Sequence, residues 1–527
     1  LQVFFNFVEA TVPAPVDALK ARELSIERVN YQDYNKSSVR AFEGGITLFD
    51  FFLNMGAGSN RSIYGILSYR ADLYEDPVAL RIVKEYELLL GAMVRNPDRR
   101  ITDSRIVPEL ERQQVLIEWN GLLQNRSHSC LHELFQSQVE RTPDASAIIC
   151  DQGVLSYHEL NYRANQVAHY LRHLGIGPEE TIGLCLEISS DRVIALLGIL
   201  KAGAAFFAPD TALAPDRISS MLRNLSVRIL LAPERLRSIL TWIPAQSIWI
   251  DTQWDLISQH SGADSNSGSQ PESIAYIAFT TGSADSPKGV MVSHNSICSY
   301  VLSFGEALGL AATDRLIQRT PAASDAALSE VFSPLVAGAS LIAERRVEPI
   351  VPMISQHQVT VLQIEPSSLK SLLEEPELER CPSLRIVACR AEALRSKLRT
   401  KVFEQLNADL FHLYGVTETT ISASLHKCTR GCEHQTASIG RPIANTQVYV
   451  LSPHLQLVAV GVAGDLYIGG AGVARGYVNR ADQTANAFIP DPYGGLPGSR
   501  LFNTGDAARH LYDGQVEFLG SAYYGAK

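Results

Sequence analysis

Residues 275–294 read AYIAFTTGSADSPKGVMVSH. An apolar strand runs to Thr280 and Thr281, enters Gly282-Ser283, and after Ala284, Asp285 and Ser286 reaches Pro287-Lys288-Gly289. Glycines let backbone N–H groups close on an anion, hydroxyls add donors, and a lysine adds charge, which together make a phosphate-binding loop. A small-residue turn between a strand and a helix has the same composition, so the stretch alone leaves both readings open.

Working outward, apolar strands alternate with helical runs from about residue 127. TIGLCL (181–186) precedes SDRVIALLGILKAG (190–203), and VRILLA (227–232), SIWID (247–251) and AYIAFT (275–280) read as further strands. Such alternation argues a parallel sheet with helices on both faces. The long apolar run Val193 to Phe207 is broken by Gly198, Lys201 and Gly203, so it reads as a buried helix followed by a strand, not a membrane span. After about residue 430 helical patterns vanish. TQVYVLS (446–452), GDLYIGG (464–470), ARGYV (474–478) and QVEFLG (515–520) predict an antiparallel β subdomain. The serine-rich Asp264 to Gln270 reads as a polar loop. At the other end, DPVALRIVKEYELLLGAMV (76–94) has apolar residues at helical spacing and stops at Asn96-Pro97-Asp98. VPELERQQVLIEWN (107–120) is a second amphipathic segment, closed by Asn120-Gly121.

The chain has 527 residues, too many for one core, so two or more domains are expected. A net charge of −10 disfavours nucleic acid or an anionic membrane as partner. Eight scattered cysteines, of which only Cys428 and Cys432 are close, read as reduced thiols of a cytosolic protein. The first residues carry neither a basic start nor a cleavage signature, and we read the chain as part of a longer cytoplasmic polypeptide.

The loop at 280–289 resembles the phosphate-binding signature of adenylate-forming enzymes, T-S/T-G-S-T-G-x-P-K-G. Other marks of that family follow in its order. LSYHELNYRANQVAHYL (155–171) and LKAGAAFFAPD (200–210) resemble its early motifs. LYGVTETT (413–420) resembles its Y-G-P-T-E segment, GDLYIGGAGVARGY (464–477) its glycine-rich β segment, and NTGDAARHLYDGQVEFLG (503–520) its T-G-D segment. The flank selects the branch: residues 65–101, then ERQQVLIEWN (111–120) and LHELFQSQVERTPDASAI (131–148), resemble the condensation-to-adenylation junction of nonribosomal peptide synthetases. The resemblance implies an α/β fold: the large N-terminal domain of an adenylate-forming enzyme, with parallel sheets layered with helices and a β subdomain, after an α+β condensation-domain remnant. We expect that remnant over 1–105, a linker over 106–126, the adenylation core over 127–519 and a truncated hinge over 520–527. The condensation motif H-H-x-x-x-D-G is absent from the chain, so condensation chemistry is not expected.

The resemblance further implies that an amino acid carboxylate attacks the α-phosphorus of ATP and that the adenylate passes to a phosphopantetheine thiol on a carrier domain. Thr280, Thr281, Gly282, Ser283, Lys288 and Gly289 would hold phosphates, and Glu418 would ligate Mg²⁺. Tyr414 would stack on adenine, Thr417 would lie near the α-phosphate, and Asp506 would accept from the ribose. In TPAASDAALSEVF (320–332), Asp325 falls where the family pairs an aspartate with the substrate ammonium. Ser329, Ser367, Ala388, Arg390, Leu413, Ile421 and Ser422 would complete the pocket. If Arg390 points inward, an acidic or strongly polar substrate is favoured; if outward, it is a solvated surface residue. His294 is read as structural.

Departures from the pattern motivate a second reading, a degenerate, non-catalytic module; an acyl-CoA ligase is a third. Ala284 and Asp285 replace Thr and Gly in the loop, and a carboxylate roughly 4 Å from phosphate costs on the order of 4 kcal/mol at an effective dielectric near 20. Ser324 replaces the phenylalanine before Asp325, Val416 the proline, Asn503 an arginine, Ser521 the ribose-contacting arginine and Tyr523 the hinge aspartate.

Overall fold

The computed structural model describes residues 3–8, 50–57, 63–74, 76–98, 100, 107–121, 129–240, 245–280, 287–344, 349–378, 381–431, 438–495 and 497–521. The chain divides into two compact units, residues 1–112 and 113–527.

In the first unit, Val3–Val8 pairs parallel with Phe51–Ala57, which pairs antiparallel with Ile63–Tyr69. The helix Asp76–Arg95 follows, as its apolar spacing predicts, and it ends before Asn96-Pro97. Asp76 in its first turn accepts a hydrogen bond from the Tyr69 hydroxyl, tying helix to sheet.

The second unit opens with linker residues that have structure of their own. Gln114–Glu118 form a π-helical turn that buries Val115. Asn120 then donates to the carbonyls of Val115 and Leu116 and accepts from the Val448 N–H at 2.7 Å. Trp119 lies against Gly514 and His510, so the segment is fastened to the β subdomain.

Two sheets organise the rest. One has seven strands in the order Gly476–Tyr477, Lys288–Ser293, Ile274–Thr280, Ala205–Phe207, Thr181–Leu184, Ile229–Ala232 and Gln246–Trp249. Its last five strands are parallel, the arrangement that alternating strands and helices predict. The other sheet runs parallel through Ser340–Ile342, Arg315–Ile317, Val361–Ile364, Ile386–Cys389 and Asp409–Tyr414. It continues antiparallel into Ser424–Lys427 and the β subdomain.

The helix Ser190–Ala202 is buried along all its length except Asp191, which is why no amphipathic period marks it. It ends on Gly203 at φ +98°, where a Cβ would lie 2.6 Å from the Ser267 carbonyl oxygen. The polar loop Asp264–Gln270 is pinned: Asp264 takes the Lys201 ammonium at 2.7 Å and amide N–H groups of Gln136, Asn161 and Asn165. Burial raises the Asp264 carboxyl, but Lys201, Gln136 and Asn161 outweigh it and hold it at about 2.

Two sequence expectations need correction. Helices do not vanish after residue 430: Ala481–Ala487 is helical, and it escapes pattern reading because it buries no residue. The phosphate-loop stretch does not lead straight from strand to helix either. Lys288–Ser293 is a strand antiparallel to Ile274–Thr280, with Thr280 opposite Lys288, and the next helix begins at His294, capped by the Ser293 hydroxyl.

Candidate active site

Strand ends and one helix N-terminus build the site. The helix Ala326–Ala337 starts at Asp325, and the strands Val361–Ile364, Ile386–Cys389 and Asp409–Tyr414 end beside it in a common apolar cluster. Ligands of open α/β sheets bind beyond such carboxyl ends.

The chain after Tyr414 doubles back sharply. A Cβ on Gly415 would lie 2.4 Å from Ser422 Cα, so only glycine allows that closure. Thr417–Thr419 form a 3₁₀ turn, and Thr420 and Ile421 take φ of +61° and +68°. Two β-branched residues in the left-handed region mark stored strain, held partly by the Thr420 hydroxyl on the Gly472 carbonyl at 2.7 Å.

Glu418 comes out of this turn buried and accepts from the Tyr477 hydroxyl at 2.9 Å. The Lys288 ammonium lies 4.8 Å from the centre of the same Tyr477 ring. Burial raises the Glu418 carboxyl, opposed by the Tyr477 hydrogen bond and the Lys288 charge. The Tyr414 hydroxyl donates to Asp506 at 2.5 Å, joining two residues that the resemblance assigns to adenosine. Ser521 is the cross-strand partner of Asp506. Thr280 stands half-buried opposite Lys288, and Gly289 beside it accepts from the Val478 N–H at 2.8 Å. Thr281, Gly282, Ser283, Ala284, Asp285 and Tyr523 lie outside the described residues.

Asp325 is sealed from solvent at its Oδ2, which has no hydrogen-bond partner. Burial raises its carboxyl, with the Thr417 hydroxyl, Arg390 and the N–H groups of Ala326 and Ile421 pulling the other way. Ser329 shares a hydrogen bond of 2.9 Å with the Tyr300 hydroxyl, which also reaches Ser422. Ala388, Leu413 and Ile421 are buried in the same apolar cluster. Arg390 points inward. It is 7% exposed, donates to the Thr320 hydroxyl at 2.5 Å, and lies 3.8 Å from Glu330 and 3.9 Å from Glu365. Ser367 is not brought into this group: it is exposed and bound to Glu392 through its N–H and hydroxyl. Pattern reading missed Tyr477, Tyr300, Thr320 and Glu330. Tyr477 closes the GDLYIGGAGVARGY segment, and Thr320 and Glu330 lie inside TPAASDAALSEVF, but nothing in either stretch assigns them partners.

Asn503, in the place of an arginine, closes the turn before Asp506, accepting from the Gly505 N–H and donating to the Tyr467 hydroxyl. His294 caps a helix: its Nδ1 accepts from the Leu131 N–H at 3.1 Å. Cys130, His132 and His294 bring ligand-type atoms within 4.8 Å of one another. Because the His294 Nδ1 already takes an N–H, its Nε2 carries the proton, which suits a cap better than a metal ligand. Cys130, Cys150, Cys185, Cys298, Cys381 and Cys389 are free thiols.

Residues 135–478 match the family model of the AMP-binding enzymes, and the chain belongs to that family. Several of its curated relatives are peptide synthetases. The chain is 35% identical over 483 residues to tyrocidine synthase 3 of Brevibacillus parabrevis, covering 90% of this chain and 7% of that protein. It is 31% identical over 512 residues to gramicidin S synthase 2 of Brevibacillus brevis, covering 94% and 11%. It is 35% identical over 428 residues to the dimodular nonribosomal peptide synthase of Bacillus subtilis, covering 79% and 18%. The chain thus spans under a fifth of the length of each of these three relatives. Among solved structures, the synthetase FmoA3 (S1046A) in its α-methyl-L-serine-AMP bound form superposes with a TM-score of 0.83 at 25% identity, over 90% of this chain and 54% of that one. The four-domain synthetase AB3403, bound to AMP and glycine, gives 0.77 at 28% identity, over 91% and 36%. Among the described residues no helix is long and apolar enough to cross a membrane.

Proposed function

We propose that this chain is the adenylation segment of a nonribosomal peptide synthetase, activating an amino acid as its aminoacyl-AMP at the expense of ATP. Phosphopantetheine on a carrier domain would then receive the acyl group. The observation that carries the reading is the sealed Asp325 carboxylate with an unpartnered Oδ2, facing the Thr417 turn. A buried carboxylate is costly unless paired, and a substrate ammonium is the partner it lacks.

In the reaction, a carboxylate oxygen of the amino acid attacks the α-phosphorus, a P–O bond forms, and the bond to pyrophosphate breaks. Negative charge gathers around the phosphates, so placed cations and donors do most of the work. Lys288 supplies the cation from the hairpin, steadied over Tyr477. The Tyr414–Asp506 pair frames the adenosine side, and Thr417 stands between that pair's strand and Asp325. Glu418 fits a hard divalent cation, being a buried oxygen donor fixed by one phenol and near one ammonium. Bound Mg²⁺ would neutralise phosphate charge there.

The competing reading, a fold that has lost catalysis, draws on Ser521 beside Asp506 and on Asp285. Amino-acid-dependent exchange of labelled pyrophosphate into ATP separates the two. Exchange that Asp325→Asn reduces by about 100-fold or more, the scale of one lost charge pairing, supports adenylation. No exchange with any proteinogenic amino acid supports the degenerate module.

A further inference from the structure

Near Asp325, several buried polar atoms of the parallel strands and the turns after them have no hydrogen-bond partner. The parallel register sets Leu316 beside Val361 and Gln363 beside Ala388, and its continuation past Ile317 would bring Gln318 toward Gln363. Face assignment follows from packing. Leu316, Val361, Ile386 and Ala388 belong to one apolar cluster with Leu328, Val331 and Phe332 of the helix that starts at Asp325. Their alternates Ile317, Leu362, Val387 and Cys389 belong to another. By alternation, Gln318, Gln363 and Arg390 all lie on the Asp325 side.

There, both amide atoms of Gln318, both of Gln363, and Arg390 Nε are buried without a hydrogen-bond partner. A buried donor or acceptor left unpaired loses its hydration without compensation, so each such group favours a ligand that can pair with it. Ala388 between Gln363 and Phe411 is the small residue in this row. The charges are already balanced. Arg390 has Glu330 and Glu365 within 4 Å, and the Arg192 guanidinium, buried on the helix Ser190–Ala202, is the second cation drawn to Glu330. Arg390 and Arg192 thus already have carboxylates of the protein's own around them, Asp325 among those that Arg390 acts on.

We infer that the pocket selects an amino acid with a neutral side chain that both donates and accepts hydrogen bonds, a carboxamide above all, in preference to an acidic or hydrocarbon one. This rests on the adenylation reading above. It replaces the acidic substrate that an isolated inward arginine would favour, because Arg390 brings its own counter-charges. Sites built to hydrogen-bond a substrate group reject an analogue lacking it by factors up to about 10⁴–10⁵, since the site's polar atoms are then stranded.

The test is calorimetric binding of non-hydrolysable 5′-O-sulfamoyladenosine conjugates of asparagine, glutamine, aspartate and leucine, with AMP as a control for the nucleotide half. The expected result is that the asparagine or glutamine conjugate binds at least about 100-fold more tightly than the leucine one and at least about 10-fold more tightly than the aspartate one. Gln363→Leu, close in volume, is expected to erase the carboxamide preference while AMP binding stays unchanged. Tightest binding by the aspartate or leucine conjugate, or equal binding by all, overturns the inference and leaves adenylation standing. AMP binding without binding of any conjugate also overturns it. Failure of AMP itself to bind removes the adenylation reading along with it.

Discussion

Tyr477 ends a glycine-rich stretch whose sequence gives it no assignment, yet its hydroxyl holds Glu418 while its ring face receives Lys288. One side chain therefore orients the proposed metal ligand and parks the proposed phosphate cation. Tyr477→Phe keeps the ring and removes the hydroxyl. A hydrogen bond to a charged group contributes about 1.5–3 kcal/mol, so Mg²⁺-dependent ATP binding is expected to weaken by roughly 10-fold or more. ATP binding measured without Mg²⁺ is expected to change little, and a loss equal in both conditions would assign Tyr477 a packing role only. The legibility of single residues was uneven for a physical reason. Residues inside ordered motifs, such as Asp325 and Glu418, are placed by the resemblance, and the structure brings both to the strand-end site. The direction of Arg390 depends on Thr320, Glu330 and Glu365, which come from the turns after two other strands and from a helix, and no local pattern encodes that. Ser367 shows the same limit in reverse, drawn outward by Glu392.

Among the elements, strand and helix alternation from residue 127 was readable because each apolar run is short and bounded. The run at Val193 to Phe207 resolves into helix and strand at Gly203, as its interruptions indicate. What hid from pattern was strain and exposure. Thr420 and Ile421 adopt positive φ against their own preference, and Ala481–Ala487 has no buried face. Gly203 offers a test of the first junction. At φ +98° any side chain is strained, and a methyl would meet the Ser267 carbonyl oxygen at 2.6 Å. Gly203→Ala is expected to destabilise the second unit by about 1–3 kcal/mol, read as a lower urea midpoint with unchanged slope. A change within about 0.3 kcal/mol would show that the Asp264–Gln270 loop yields freely, against its anchoring by Lys201.

For the whole molecule, acid sensitivity follows from histidines that burial keeps neutral. Burial lowers His132 to about 3, with His294 and Lys201 adding to it, and lowers His294 and His510 to about 4. Their folded values lie below the ordinary histidine value near 6.5, so the unfolded chain binds protons first. Their contribution is complete above about pH 6.5 and is lost as pH falls toward 4 and 3, at about 1.4 kcal/mol per pH unit for each histidine. Asp264, depressed to about 2, holds its contribution until pH drops below about 4 and then loses it. Urea unfolding is therefore expected to weaken from pH 6.5 to 4, with each of these three histidines adding up to one proton to the slope. A flat profile over that window would mean these rings are solvated in the native state. The charge balance of the chain, −10, and its scattered cysteines bounded the class of protein but placed no site. The sequence changes rhythm at about residue 127, whereas the two compact units divide after Arg112.

The most direct measurement of the central claim is titration calorimetry of Mg-ATP into this protein, with Glu418→Ala alongside. The account predicts saturable binding that the variant weakens at least about 10-fold, as loss of a buried charged ligand requires. Absence of binding at millimolar Mg-ATP, or binding that Glu418→Ala leaves unchanged, would contradict it.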